Sequence, residues 1–153
     1  MAITLAEINT AIAASLGAAT GIARVQDAAK PDPDEGLTEG IADLPMLQVY
    51  WQSLDTSTGS ENDRIAMRGG VRVTQCVFHA DVYARQRGMI SEDAARTLEL
   101  AEAVQEILEA QDVKPYFGLI GVKSFRWTAE RVTFDYAGVA YAGVRFVITV
   151  WVF

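Results

Sequence analysis

The chain has one cysteine and one histidine among its 153 residues. Cys76 therefore has no partner for an internal disulfide, and a lone thiol builds no structural zinc site. With His79 as the only imidazole, histidine-dependent catalysis rests on a single residue. Apolar stretches are broken every few residues, so none approaches the roughly 20 residues of a membrane helix, and no membrane association is expected. Basic residues are outnumbered thirteen to twenty, and the net charge of -7 excludes binding driven by phosphate neutralisation. Neither GxGxxG nor GxxxxGK[ST] occurs, which leaves the glycines at 69–70, 138 and 143 as turn punctuation rather than a phosphate cradle. Met1 to Thr10 has no basic residue and carries Glu7, so it does not read as a targeting signal. What remains is an ordinary globular balance, 50% apolar and 22% charged, at a length suited to one domain. The expectation is a soluble α/β-type domain that is not an enzyme and holds neither metal nor cofactor.

Thr4 and Glu7 form a capping box, and Leu5, Ile8, Ile12 and Leu16 follow at helical spacing, so a helix is predicted over about 4–16. Ile22 to Gln26 reads as a short strand. Asp27 to Asp43 then carries six acidic residues and the run Pro31-Asp32-Pro33-Asp34, which suits neither helix nor central strand and is expected as a solvated loop. Pro45 opens a strand in which Leu47, Val49 and Trp51 share one face and Met46, Gln48, Tyr50 and Gln52 the other. A polar connection over 55–70 leads to a second alternating run, Val71 to Tyr83, with Cys76, Phe78, Ala80 and Val82 on one face and His79, Asp81 and Tyr83 on the other. These two strands are expected to pair antiparallel with a long tip. Ser91 reads as the N-cap of a helix over 91–110, whose buried stripe is Ala94, Leu98, Ala101, Val104, Ile107 and Leu108, with Glu99, Glu102, Glu106 and Glu109 opposite. Leu119–Thr128 and Glu130–Phe134 are strand-like, 135–143 reads as a turn-rich stretch, and Val144–Phe153 is a closing strand, apolar on both faces and expected to be held by pairing. The sum is an α+β class fold: a mixed, mostly antiparallel β-sheet packed against an N-terminal helix and one long central helix.

His79 and Asp81 share a strand face and are able to meet one ligand, yet a metal needs three or four donors, and Cys76 projects from the opposite face. They read as a polar pair at a solvent or subunit boundary. Cys76 reads as a small core residue. Arg64, Arg68, Arg72, Arg85 and Arg87 cluster around the middle hairpin and the entry to the long helix, and they answer acidic surface either in the same chain or on a neighbour. Of the three tryptophans, Trp51 and Trp127 are assigned to the core. Trp151, with Val147 and Phe153 on its face, is the choice for a subunit contact.

This order of elements, carried by Pro45-Met46-Leu47-Gln48-Val49-Tyr50, by the run from Arg72 to Tyr83, by the helix from Ser91 and by the strand Val144–Phe153, resembles the tail terminator (tail completion) proteins of long-tailed bacteriophages and the related neck connectors. The resemblance implies a mixed sheet flanked by helices and a virion structural role. It implies a homo-hexameric ring at the tail–neck junction, assembled in the host cytoplasm, that binds the tail tube protein and a neck or connector protein. DNA would pass through that ring without specific binding, and there are no catalytic residues to carry over. Within it, Arg64, Arg68, Arg72, Arg85, Arg87, Val147, Trp151 and Phe153 are the expected subunit interface. Asp32, Asp34, Glu35 and Glu39 are the expected lumen- or partner-facing acids, whose charge repels passing DNA. A head–tail connector is the nearest alternative. A small-molecule-binding module or enzyme with a cleft near His79 and Asp81 is the alternative from another class, and a regulator that binds a cationic partner through its acidic surface is the third.

Overall fold

The computed structural model describes residues 3–30, 44–56 and 73–152. The acidic loop, most of the 55–70 tip and Phe153 lie outside the described residues. Helix α1 spans Leu5–Gly17, and its start is fixed by the capping box: the Glu7 amide donates to Thr4 Oγ1 (3.1 Å), and the Thr4 amide donates to Glu7 Oε2 (2.6 Å). These bonds hold the Glu7 carboxyl below its usual range. Thr4→Ala is expected to lower stability by about 1 kcal/mol, read from the midpoint of urea denaturation; an unchanged midpoint counts against the cap. Ile8, Ile12 and Leu16 are fully buried, as the spacing requires.

Three of the four strand pairings are antiparallel. Strand β1 (Arg24–Asp27) lies parallel to β2 (Met46–Thr56), β2 pairs with β3 (Thr74–Gln86), and β3 pairs with β5 (Val139–Val152), whose other edge pairs with β4 (Val122–Tyr136). The spatial order is therefore β1-β2-β3-β5-β4, a mixed and mostly antiparallel sheet as expected. Helix α2 (Ile90–Glu109) connects β3 to β4 by way of one 3-10 turn, Tyr116–Gly118. Both helices lie on the same side of the sheet. Leu47, Val49, Phe78, Ala80, Val82, Phe146, Ile148 and Val150 face them, each with no exposed surface, against Ile12, Leu16, Leu100 and Val104. Cys76 lies in this core, and burial pushes its thiol up, which is the inert setting its place beside Phe78 suggests.

Several expectations need correction. Helix α2 begins one residue before Ser91: Met89 occupies the N-cap with no side-chain bond, and Ser91 falls within the first turn. The start is set by tertiary contacts instead, since the Gly88 amide donates to Asp93 Oδ2 (3.1 Å) and Arg85 pairs with both Glu92 (3.1 Å) and Asp93 (3.2 Å). The buried face of α2 is rotated from the expected stripe. Thr97 and Leu100 lie inside, and Leu98 is 61% exposed. The two predicted strands over 119–134 are one continuous strand, β4. The turn-rich stretch 135–143 contracts to two residues, Ala137 and Gly138, both at positive φ (51° and 79°), the requirement of a tight hairpin whose twist matches its strands. Trp51, assigned to the core, is 58% exposed: it lies on the helix side of β2, just before a bulge that shifts the register.

Candidate functional site: the uncovered face of the sheet

Among the described residues no helix covers the second face of the sheet. Alternation sends Gln48 and Tyr50 from β2, His79, Asp81 and Tyr83 from β3, Arg145, Val147 and Trp151 from β5, and Glu130, Val132 and Phe134 from β4 toward it. The face has three zones.

At one end is a second, smaller core of Met46, Tyr83, Phe134 and Tyr141, edged by Leu44, Val132, Tyr136 and Val139. The Tyr83 and Phe134 rings stack at 4.5 Å, and Tyr141 stands edge-on to Tyr83 at 5.9 Å. Gly143 makes this stacking possible by leaving the space that the Phe134 ring occupies.

In the middle, register places Asp81 directly across from Gln48 on one side and Arg145 on the other. Arg145 donates to Asp81 Oδ1 from Nε (2.9 Å) and to Oδ2 from Nη2 (3.2 Å), and the Tyr50 hydroxyl donates to Oδ2 (2.8 Å). A carboxylate only 2% exposed is thus satisfied by a fork and a phenol. The guanidinium also lies 5.5 Å from the Phe134 ring. His79 Nδ1 approaches the Tyr50 hydroxyl at 3.3 Å. Burial, then the hydrogen bond to Asp81, pushes Tyr50 up to about 12, so its phenol is a fixed donor and not a base at neutral pH. Tyr50, Asp81, Phe134 and Arg145, with Thr133 and Asp135 but not His79, line an open cavity of about 560 Å3. Tyr50, Asp81 and Arg145 are engaged with one another, so this trio behaves as a rigid polar platform.

Burial, then the positive charge of Arg145, holds His79 below its ordinary value. The folded state thus resists protonation that the unfolded chain accepts near pH 6.5. The stability His79 permits is present above that pH and is lost as pH falls from about 6.5 through its lower folded value. His79→Gln is expected to flatten the decline between pH 7.5 and 5, measured by urea denaturation. An equal slope in the variant contradicts this assignment.

At the far end of the face Val77, Val147 and Trp151 are half-buried, and the Arg126 guanidinium sits 5.5 Å from the Trp151 ring. Two residues of the expected interface, Val147 and Trp151, therefore share one surface, on a strand that is central in the sheet. Arg85 is paired within the chain to Glu92 and Asp93, while Arg87 is exposed at the mouth of α2. Arg64, Arg68, Arg72, Phe153, Asp32, Asp34, Glu35 and Glu39 lie outside the described residues. Trp127 packs on Phe146 from the helix side, as assigned. The residues that the sequence reading missed are Tyr50 and Arg145. A signal was available: Asp81 is the one acid in the 71–83 run, and Arg145 is the one charged residue in 144–153. No protein-family model matches the chain, and no curated protein is significantly similar to it.

Proposed function

We propose that the chain is a virion structural protein, a tail terminator whose copies form a hexameric ring that caps the tail tube and joins it to the neck. One observation carries this reading: a five-stranded sheet that, among the described residues, is covered by helices on one side only, and whose other side ends in a half-buried patch of Val77, Val147 and Trp151 on the interior strands β3 and β5. A monomer gains nothing by leaving such a patch partly wet, whereas a subunit buries it against its neighbour. The order of elements that underlies the resemblance is also that of the fold. The polar platform beside the patch adds orientation, since aligned charges fix register and partner choice more than affinity.

The test is assembly. Light scattering and negative-stain microscopy, with and without purified tail tubes, are expected to reveal rings. Trp151→Glu is expected to weaken ring formation at least about tenfold, as loss of a central aromatic anchor does, without altering the fold. A protein that stays monomeric alone and with tubes overturns the proposal. Binding of a small molecule in the Tyr50–Asp81 cavity, abolished by His79→Ala, favours the competing binding-module reading.

A further inference from the structure

The helix side of the sheet is incompletely covered too. Helix α1 packs against β1 and β2, and α2 against β3 and β5. Tyr116 and Phe117 of the 3-10 turn cover the start of β4 at Phe125, but among the described residues no helix lies over the middle of this edge strand, around Ala129 and Arg131. The result is a groove between α2 and β4 formed by two adjoining cavities of about 350 and 320 Å3 that share Ala94 and Arg131. Ala94, Ala101, Ala129 and Val144 give it apolar walls, Glu130 and the Arg85-paired Asp93 also line it, and α2 presents Leu98, 61% exposed, and Ile90, 75% exposed, along it. These two residues, with Ala94 and Ala101, make a second apolar stripe on α2, turned away from the stripe that faces the core.

Charge identifies the occupant. Arg87 and Arg131 line the groove, and neither has an acidic partner among the described residues. Arg85, Arg96 and Arg145 do have one. The outer row of α2 supplies the complement, for Glu102 and Glu106 are exposed and likewise unpaired within the described residues. A ridge carrying acid beside a groove rimmed with base is complementary to its own copy. We propose that α2 of a second copy fills this groove about a twofold axis, so that each α2 covers the partner's β4, Leu98 is buried, and Glu102 and Glu106 meet Arg131 and Arg87 across the contact. An isologous contact of this kind closes as a dimer. It lies on the opposite side of the sheet from the ring surface proposed above and does not depend on it.

Sedimentation velocity on the full chain tests the proposal over a wide range of concentration. The wild type is expected to dimerise. Leu98→Glu, at a position exposed enough to leave the fold intact, is expected to raise the dissociation constant at least about tenfold. Arg131→Glu alone and Glu102→Lys alone are each expected to weaken the dimer, and the two changes together to restore it. A wild-type protein that never dimerises overturns the inference, as does a dimer indifferent to Leu98→Glu or a charge swap that fails to rescue. Rings on tube ends, scored separately by microscopy, report on the function proposed above and not on this contact.

Discussion

Replacing Arg145 by methionine is expected to destabilise the protein by about 3 kcal/mol, a large share of the roughly 5–15 kcal/mol that holds a domain folded. Asp81 is almost wholly buried, and two of its three side-chain donors come from the charged Arg145 fork. Without the fork a carboxylate remains out of water with only the Tyr50 hydroxyl to satisfy it. The cost belongs to the low end of the range for buried pairs because the Arg145 side chain is itself 29% exposed. Combining Arg145→Met with Asp81→Leu is expected to recover most of the loss, since an apolar pair of similar size needs no partner. Urea denaturation of the two variants measures both effects. A single variant that loses less than about 1 kcal/mol, within the range of an ordinary surface pair, contradicts the view that this pair is buried and coupled.

Gly143→Ala is expected to cost about 3 kcal/mol or more, an extreme result for the addition of one methyl group. A Cβ at this position meets the Val82 carbonyl oxygen at 2.3 Å and the Phe134 ring at 2.4 Å. The first obstacle is backbone in the adjacent strand and does not rotate aside. The second is locked in the stack with Tyr83. The penalty is therefore one of space and not of backbone angle. Adding Phe134→Leu is expected to relieve the ring contact and leave the carbonyl contact, so recovery is partial. Full stability in Gly143→Ala alone contradicts the packing described for the second core.

What the sequence revealed, and what it concealed, divides by range. The capping box of α1 was legible because its bonds span three residues. The faces of β2 and β3 were legible because alternation is enforced by the backbone, so Cys76 was correctly separated from His79 and Asp81. The start of α2 was not, because Ser91 is an adequate cap by composition, and the real boundary is set by Asp93 holding Gly88 and Arg85. Leu98 misled for a related reason: a hydrophobic stripe gives the spacing of a buried face but not the angle at which the helix docks. The unity of β4 was hidden by its charges, which suit an edge strand as well as a loop. The Ala137–Gly138 turn lacks the usual asparagine or aspartate ahead of its glycine. The site was half visible, because His79 and Asp81 lie together on one strand. Tyr50 and Arg145 reach them only through register, 31 and 64 residues away in the chain from Asp81.

The place of β5 between β3 and β4 has a kinetic consequence. Its bond with β4 closes around two residues, the kind of hairpin that zips within about 1–10 μs. Its bond with β3 brings Tyr83 to Gly143 and Thr74 to Val152, a search across the whole segment that holds α2, which hairpin closure shortens only in part and with little entropic gain. The barrier to folding is thus expected at the joining of a preformed hairpin to the β2–β3 half. In stopped-flow refolding, changes along the β3–β5 seam should slow the rate, while changes at the Ala137–Gly138 corner should act chiefly on stability.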